Sequence, residues 1–262
     1  MDYKAINKAS WNTRTAAHVT SEFYDLPGFL KGKNSLNSIE LELLGEVKSK
    51  SILHLQCHFG QDSLSLARMG AKVTGVDLSD AAIDKARELN SSLGLDAEFI
   101  CCDLYELPEH LNKQYDIVFT SYGTIGWLPN LDRWASVVNR FLKPGGEFIM
   151  AEFHPVVWMY DDDFKGVIYN YFNDGPIKET SSGSYTDTDH DFEADYVTWN
   201  HPLSEVLTAL LDQKLSLAVF QEFDYSPYDC FAHTVEVAPE KFQLKPFDNK
   251  IPLVYALKCT KQ

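Results

Sequence analysis

Hydrophobic and polar positions follow a regular rhythm through the middle of the chain. Five short apolar runs predict buried strands, at residues 51–55, 72–76, 97–101, 115–120 and 147–153. Apolar positions at helical spacing predict intervening helices at residues 62–69, 79–93 and 131–142. Strands that alternate with helices at short intervals indicate a parallel sheet with helices on both faces and right-handed crossovers.

Two segments on either side of this pattern depart from it. Residues 1–50 predict a helical cover, with a loop at Pro27-Gly28 and a helix over residues 36–47 that Asn34 or Ser35 caps. Residues 155–201 are rich in Tyr, Asp, Gly and Ser, and we expect an insertion of hairpins or long loops there. Both segments are expected to cover a substrate.

The C-terminal part returns to the α/β pattern. It predicts a helix at residues 204–211 and strands at 215–223 and 252–259, which we expect to pair antiparallel because no strong helix is readable between them. The whole chain therefore predicts one α/β domain. Its sheet has seven strands, is mostly parallel with an antiparallel last strand, and carries helices on both faces, with the insertion after the fifth strand.

Composition narrows the possible partners. The chain of 262 residues has 23 basic and 38 acidic residues, a net charge of -15 and 45% apolar residues. Nucleic acids and anionic membranes require clustered Lys and Arg, so a small molecule is the expected partner. The five cysteines form no Cys-x-x-Cys pair, which disfavours zinc and disulfides and suits a reducing cytoplasm. The N-terminal residues lack the apolar stretch of a signal peptide, and no apolar run has the length of a membrane span.

The loop after the first strand and the ends of the next two strands predict a nucleoside site. In a doubly wound sheet, ligands bind at the carboxyl ends of the strands, where the strand order reverses. Gly60 opens a helix whose amides can face an anionic group. Asp77, at the end of the second strand, can accept both hydroxyls of a ribose, and Asp103, after the third strand, can accept an exocyclic amine of adenine. Alternatively, Asp77 caps the next helix near Ser79, and Asp103 is a solvated loop acid.

Together these positions resemble the class I S-adenosylmethionine-dependent methyltransferases over residues 50–155. The resemblance includes Asp77, Asp103 and the turn Leu142-Lys143-Pro144-Gly145-Gly146, and residues 53–60 and 126–129 are similar to a bacterial small-molecule subgroup. It implies a Rossmann-like fold, methyl transfer to a small molecule, and S-adenosylmethionine as cofactor with S-adenosylhomocysteine as product. The expected cofactor-binding residues are Leu55, Gln56, Cys57, His58, Gly60, Asp77, Leu78, Asp103, Leu104, Ser121 and Tyr122.

The first loop departs from the family pattern, which has an acid at position 54 and glycines at positions 56 and 58. This chain has His54, Gln56 and His58 there. Side chains at the glycine positions hinder a positive φ and a close approach of ligand to backbone. Our hypothesis is that backbone groups of Leu55 and Gln56, with help from the N-terminal segment, hold the methionine end of the cofactor.

Histidines and aromatic residues are the other candidates for chemistry. His154, after the fifth strand, is the candidate general base, and the alternative is a hydrogen-bonded loop residue. His54 is expected to be a core residue with one hydrogen bond, and His58 a loop residue or cofactor neighbour. Trp11 and Tyr24 are expected in a lid, with plain core packing as the alternative. The expected substrate-binding residues are Tyr24, Trp127, Trp199 and His201.

No metal is expected. The acidic runs 160–163 and 187–191 are more typical of solvated loops than of an ion site.

Two other functions remain open. A nicotinamide-dependent oxidoreductase also uses an acid such as Asp77, but normally has a fuller Gly-x-Gly-x-x-Gly turn. A non-catalytic module that binds an adenosyl ligand fits the altered loop at residues 54–58.

Overall fold

A seven-stranded sheet forms the centre of the computed structural model, which describes residues 2–186 and 192–262. The eleven strands within the described residues are β1 (Ser51–Leu55), β2 (Lys72–Asp77), β3 (Glu98–Cys101), β4 (Tyr115–Ser121), β5 (Leu142–Phe153), β6 (Ile177–Ser182), β7 (Glu193–Thr198), β8 (Leu215–Phe223), β9 (Thr234–Ala238), β10 (Lys241–Leu244) and β11 (Val254–Lys261). The central sheet has the order β3-β2-β1-β4-β5-β11-β8. The other four strands form two separate hairpins.

The pairing confirms the predicted fold class. The strands β1 to β5 are parallel, and β11 runs antiparallel to both of its neighbours, β5 and β8. The chain leaves β1 to form β2 and β3 on one side and then returns to β4 on the other. The strand order therefore reverses between β1 and β4, and their carboxyl ends border the crevice in which such sheets bind ligands.

Helices cover the sheet and enclose two hydrophobic cores, one on each face. The described helices are α1 (Tyr3–Thr20), α2 (Leu26–Leu30), α3 (Ser38–Leu44), α4 (Gln61–Arg68), α5 (Asp80–Ser92), α6 (Leu107–His110), α7 (Leu131–Phe141) and α8 (Leu203–Asp212). In α7 the buried residues recur at helical spacing, as at Leu131, Trp134, Val138 and Phe141. Such an apolar stripe stabilises a helix chiefly by packing it against a sheet.

The predicted N-terminal cover and insertion pack against each other. Asn7 of α1 both donates to the carbonyl of Val197 and accepts from its amide, at 2.8 Å each. This pair of bonds lets a helix side chain complete the hydrogen bonding of β7. The insertion contributes the hairpin β6–β7, as expected, but the hairpin β9–β10 was not predicted. Strand β9 exposes Val235 and Val237, so its apolar positions give no pattern of a buried strand.

Several predicted boundaries were wrong for local reasons. Asn37, rather than Asn34 or Ser35, is the N-cap of α3, and its amide donates to Glu40 Oε1 at 2.7 Å. Pro27-Gly28 lies inside the short helix α2, because Pro suits the first turn of a helix. Strand β5 begins at Leu142, five residues before the predicted start at Glu147. Among the described residues, no helix combines the length and apolar character needed to cross a bilayer.

Candidate functional site

A large cavity opens at the carboxyl ends of the parallel strands. Its volume is about 1130 Å³, and its wall includes residues from the loops after β1, β2, β3 and β4. The covers α1, β6–β7 and the segment 227–232 supply the opposite wall. Pockets that hold one small-molecule ligand measure roughly 300–1,000 Å³. The volume of this cavity lies just above that range.

Asp77 lies on the cavity wall at the end of β2. Its Oδ2 accepts the backbone N–H of His58 at 2.8 Å, and its Oδ1 accepts that of Ser79 at 2.9 Å. Burial raises the pKa of Asp77, although these backbone bonds oppose that shift. An ionised carboxylate has about four acceptor positions, so these bonds leave capacity for a ligand. Asp77 can therefore accept the Ser79 amide at the start of the next helix and bind a ligand at the same time.

The loop after β1 follows the path that glycines would allow, although its residues have side chains. Gln56 has φ of 54° and His58 has φ of 50°, both in the left-handed region. Such residues cost of order 1–3 kcal/mol each in backbone strain. The predicted obstacle to positive φ is thus overcome by the surrounding structure. At Gly60 a Cβ would lie 2.9 Å from both Ala86 Cβ and Phe99 Cε1, so close packing also requires glycine there.

Two buried polar atoms of this loop have no hydrogen-bond partner among the described residues. They are Gln56 Oε1 and His58 Nδ1, and both residues line the cavity. The other ends of these side chains are fixed: Gln56 Nε2 donates to the Thr124 carbonyl at 2.8 Å, and His58 Nε2 lies 2.8 Å from His18 Nδ1. Burial lowers the pKa of His58 to about 3, which keeps the imidazole neutral. Unpartnered buried polar atoms are costly, so this wall suits a ligand with a polar end.

Asp103 also lies on the cavity wall, where it caps the short turn after β3. It accepts the amide of Tyr105 at 2.7 Å, and Lys4 Nζ of α1 lies 3.4 Å from its Oδ2. Asp103 is only 9% exposed, which excludes the alternative of a solvated loop acid. The structure therefore brings Asp77 and Asp103 to one cavity, as the sequence predicted.

Of the remaining expected cofactor-binding residues, Cys57, Leu78, Leu104, Ser121 and Tyr122 line the cavity with the residues described above. Leu55 is the exception. It is fully buried away from the cavity wall, and its carbonyl accepts Thr120 Oγ1 at 3.3 Å. The prediction that Leu55 holds the methionine end was therefore wrong.

The sequence analysis missed three acids at the site. Asp62 lines the cavity beside Ser121, with 3.4 Å between Oδ2 and Oγ. Glu40 of α3 lies behind Tyr122, whose hydroxyl donates to it at 2.8 Å, and burial raises the pKa of Glu40 to about 7. Glu152 of β5 accepts the amides of residues 124 and 125 at 2.7 and 3.2 Å. The position of Asp62 in the first turn after Gly60 was the one available signal.

Aromatic side chains form much of the cover. Trp11 of α1 contacts both His58 and Trp127, with ring centroids 5.2 and 5.1 Å apart. Tyr24 packs 4.8 Å from Phe59, and its hydroxyl lies 2.6 Å from that of Tyr185. All four expected substrate-binding residues, Tyr24, Trp127, Trp199 and His201, line the cavity.

The structure contradicts the prediction that His154 acts as a base. Its Nε2 lies 3.1 Å from Glu222 Oε1, and its Nδ1 accepts the amide of Val156 at 3.2 Å. His154 is 3% exposed and does not line the cavity. His154 does follow β5 at the carboxyl end of the sheet, as predicted. Its ring, however, contacts Glu222 of β8 and Tyr255 of β11 instead of facing the cavity.

The candidate residues His54 and His201 have structural partners. His54 is buried, with Nδ1 2.8 Å from Ser63 Oγ, as expected for a core residue, and burial lowers its pKa to about 3. His201 lines the cavity, but its Nε2 lies 2.8 Å from the Leu128 carbonyl and its Nδ1 3.0 Å from Glu205 Oε2. His201 therefore joins the loop after β4 to helix α8, with both ring nitrogens engaged.

Of the two acidic runs, the structure describes the one at residues 160–163. Asp161 accepts the amide of Lys165 at 2.8 Å, and Asp163 pairs with the Lys165 ammonium. These contacts form a local turn. Within residues 2–186 and 192–262, no group of three His, Cys, Asp or Glu is placed to hold a metal ion. The run at 187–191 lies outside the described residues.

Comparison with known proteins identifies the central part of the chain. Residues 52–146 match the family model described as a methyltransferase domain. This match supports the resemblance of the central part of the chain to a methyltransferase domain. The matched range begins in β1 and ends in β5, so it includes the loop, Asp77 and Asp103 that form the floor of the cavity.

Curated relatives of the methyltransferase domain match about half of the chain. The chain is 26% identical over 155 residues to a ubiquinone biosynthesis O-methyltransferase of Shewanella pealeana, covering 58% of this chain and 65% of that protein. It is 25% identical over 138 residues to a sterol 4-C-methyltransferase of Caenorhabditis elegans, covering 50% and 41%. The chain thus spans less than two thirds of either relative.

Solved structures share the fold of the methyltransferase domain and its covers. An S-adenosylmethionine-dependent methyltransferase of Mesorhizobium loti superposes with a TM-score of 0.60 at 20% identity, over 88% of this chain and 100% of that one. Geranyl diphosphate C-methyltransferase of Streptomyces coelicolor, solved with S-adenosylhomocysteine, superposes with a TM-score of 0.64 at 14% identity, over 100% and 98%. At these identities the likeness establishes the fold.

Proposed function

We propose that this chain transfers a methyl group from S-adenosylmethionine to a small-molecule acceptor. The observation that carries the proposal is the pair of carboxylates Asp77 and Asp103, at the ends of neighbouring parallel strands on one cavity wall. Acids at the ends of neighbouring strands are placed as a ribose and an adenine amine of one adenosine would require. The named relatives, a ubiquinone biosynthesis O-methyltransferase and a sterol 4-C-methyltransferase, support small-molecule methylation.

Each end of the cofactor has a matching set of groups. Asp77 would accept the ribose hydroxyls, and Asp103 would accept the adenine amine, with Leu78 and Leu104 as apolar neighbours. For the methionine end, Gln56 Oε1 would accept from the ammonium group and His58 Nδ1 would donate to the carboxylate. These two side chains replace the glycines and the acid of the family pattern. Asp62 is a further acid on the same wall.

The cofactor, when bound, supplies the activated methyl group. The chain's own task is to align the acceptor and to exclude water. The aromatic residues Trp11, Tyr24 and Trp127 would form the wall against which the acceptor lies. We propose that α1 and the hairpin β6–β7 cover the bound acceptor, since both contribute to the cavity wall.

Charge and cysteine usage support the proposed partner and cellular location. The net charge of -15 disfavours nucleic acid as the acceptor. All five cysteines are free, and Cys57, Cys102 and Cys259 are buried, so we propose that the protein works in the reducing cytoplasm.

A double variant tests the site. Asp77→Ala combined with Asp103→Ala is expected to abolish binding of S-adenosylhomocysteine in isothermal titration calorimetry, because both ends of the adenosine lose their acceptors. The control is Asp80→Ala combined with Glu106→Ala, which removes two exposed neighbouring acids that do not line the cavity. Circular dichroism verifies that both variants fold. Undiminished binding by the Asp77 and Asp103 variant would refute the site.

A further inference from the structure

Arg14 is a buried cation on the wall of the cavity. It lies in α1 and is only 7% exposed. Among the described residues of that wall, Lys33 is the other Lys or Arg, and it is largely exposed and paired with Asp25 at 3.0 Å. Among the described residues, Arg14 is therefore the buried cation available to a ligand beside α1 in the cavity.

The contacts of the Arg14 guanidinium within the described part of the chain are with neutral groups. Its Nε donates to Ser10 Oγ at 3.3 Å and its Nη2 to Ser181 Oγ at 2.6 Å, and its Cζ lies 5.4 Å from the ring centroid of Tyr196. No carboxylate of residues 2–186 or 192–262 forms an ion pair with it. A guanidinium has five N–H donors, so most of its hydrogen-bonding capacity is not used by these contacts.

A buried guanidinium without a counterion is costly, because the charge has lost its hydration. Burial lowers the pKa of Arg14, which reflects this loss. Buried charges in proteins are normally paired, so a ligand that supplies the missing partner fits this position. The free edge of a planar guanidinium matches the two oxygens of an oxyanion.

Nearby acids favour a carboxylate over a phosphate as that oxyanion. Glu179 accepts the hydroxyl of Tyr196 at 2.8 Å, on the ring that also faces Arg14. Asp162, another acid of the cavity wall, is close enough to Glu179 that their repulsion helps to raise the pKa of Asp162. Arg14 supplies one positive charge, so a dianion would keep an uncompensated negative charge on the same cavity wall as Glu179 and Asp162, whereas a monoanion would not.

An aromatic wall separates Arg14 from the proposed nucleoside site. The ring of Trp127 lies 5.8 Å from that of Tyr196 and 5.1 Å from that of Trp11, which in turn contacts His58 beside Asp77. We propose that the acceptor is a small molecule with a flat apolar body and one carboxylate, and that Arg14 binds this carboxylate. This inference rests on the proposed methyl transfer, because it assigns the cavity beyond the cofactor to the acceptor.

Matched probes that differ in charge test the proposal on the full chain. The probes are 3-phenylpropanoate, its neutral amide, phenyl phosphate and phenethylamine. Their dissociation constants are measured by ligand-observed NMR on wild type, Arg14→Met, Arg14→Lys and Arg68→Met, with and without saturating S-adenosylhomocysteine. Arg68 is the control because it stacks on Phe29 and does not line the cavity.

We expect wild type to bind the carboxylate at least about tenfold more tightly than each other probe, as for charge-assisted bidentate bonds. Arg14→Met should lose this preference, Arg14→Lys should keep part of it, and Arg68→Met should keep all of it. Equal binding of carboxylate and amide by wild type, a preference for the phosphate or the amine, or an unchanged preference in Arg14→Met overturns the proposal. Absence of S-adenosylhomocysteine binding instead refutes the proposed function, while the probe series without it still tests Arg14.

Discussion

At the scale of single residues, Gln56 and His58 stand at two positions where the methyltransferase pattern that the chain resembles has glycine. Both adopt the left-handed conformation that glycine adopts most easily, at φ of 54° and 50°. Their side chains then bring unpartnered polar atoms to the cavity wall. These two residues therefore have opposite effects. Their positive φ angles cost free energy, but their side chains place polar atoms at the cavity wall, which glycine could not do.

Gln56→Gly separates these two effects. Removal of Oε1 should weaken S-adenosylhomocysteine binding about tenfold or more, since a hydrogen bond to a charged group contributes roughly 1.5–3 kcal/mol. Binding of 5′-methylthioadenosine, which lacks the amino-acid end, should not change. The free energy of unfolding should change little, because glycine relieves strain but loses the bond to Thr124. Calorimetry with both ligands measures this, and equal weakening of both would contradict the role of Gln56.

At the scale of elements, α3 brings the buried acid Glu40 behind the site without exposing it to the cavity. Its Oε1 accepts the amide of Asn37, and Tyr122 donates to its Oε2. Tyr122 lines the cavity and Asp62 lies near enough to raise the pKa of Glu40 further. The element therefore links the N-terminal cover to the loop after β4 through a titratable group.

Glu40 should make stability depend on pH. Because its folded pKa, about 7, exceeds its ordinary value of 4.5, the folded state holds the proton more tightly. The stabilisation is complete below about pH 4.5 and is lost as pH rises through 7, by about 3 kcal/mol in all. In Glu40→Gln this loss should disappear from urea unfolding curves measured between pH 5 and 8. An identical pH slope in wild type and Glu40→Gln would show that Glu40 titrates normally.

Which elements could be predicted depended on their burial. Strands β1 to β5 gave clear apolar runs because both faces of a parallel sheet are covered. The hairpin β9–β10 gave none, since Val235 and Val237 of β9 are exposed. Asp77 and Asp103 were predicted because strand ends determine where they lie. Arg14, Glu40 and the direction of His154 were not, because contacts between distant segments determine them.

At the scale of the whole molecule, three separate segments close one cavity over the sheet. Helix α1, the hairpin β6–β7 and residues 227–232 all contribute to its wall. Asn7 and Arg14 of α1 both contact the hairpin, through Val197 and Ser181. In the proposed function, the part of the chain that matches the methyltransferase domain model supplies the floor for the cofactor, and the less regular parts supply the cover for the acceptor.

The choice between an adenosyl and a nicotinamide ligand tests this account most directly. In isothermal titration calorimetry of the full chain, S-adenosylhomocysteine should give a saturable heat with one ligand bound per chain, and NADH should give none. Saturable binding of NADH with no binding of S-adenosylhomocysteine would contradict the assignment of Asp77 and Asp103 to the cofactor of a methyltransferase.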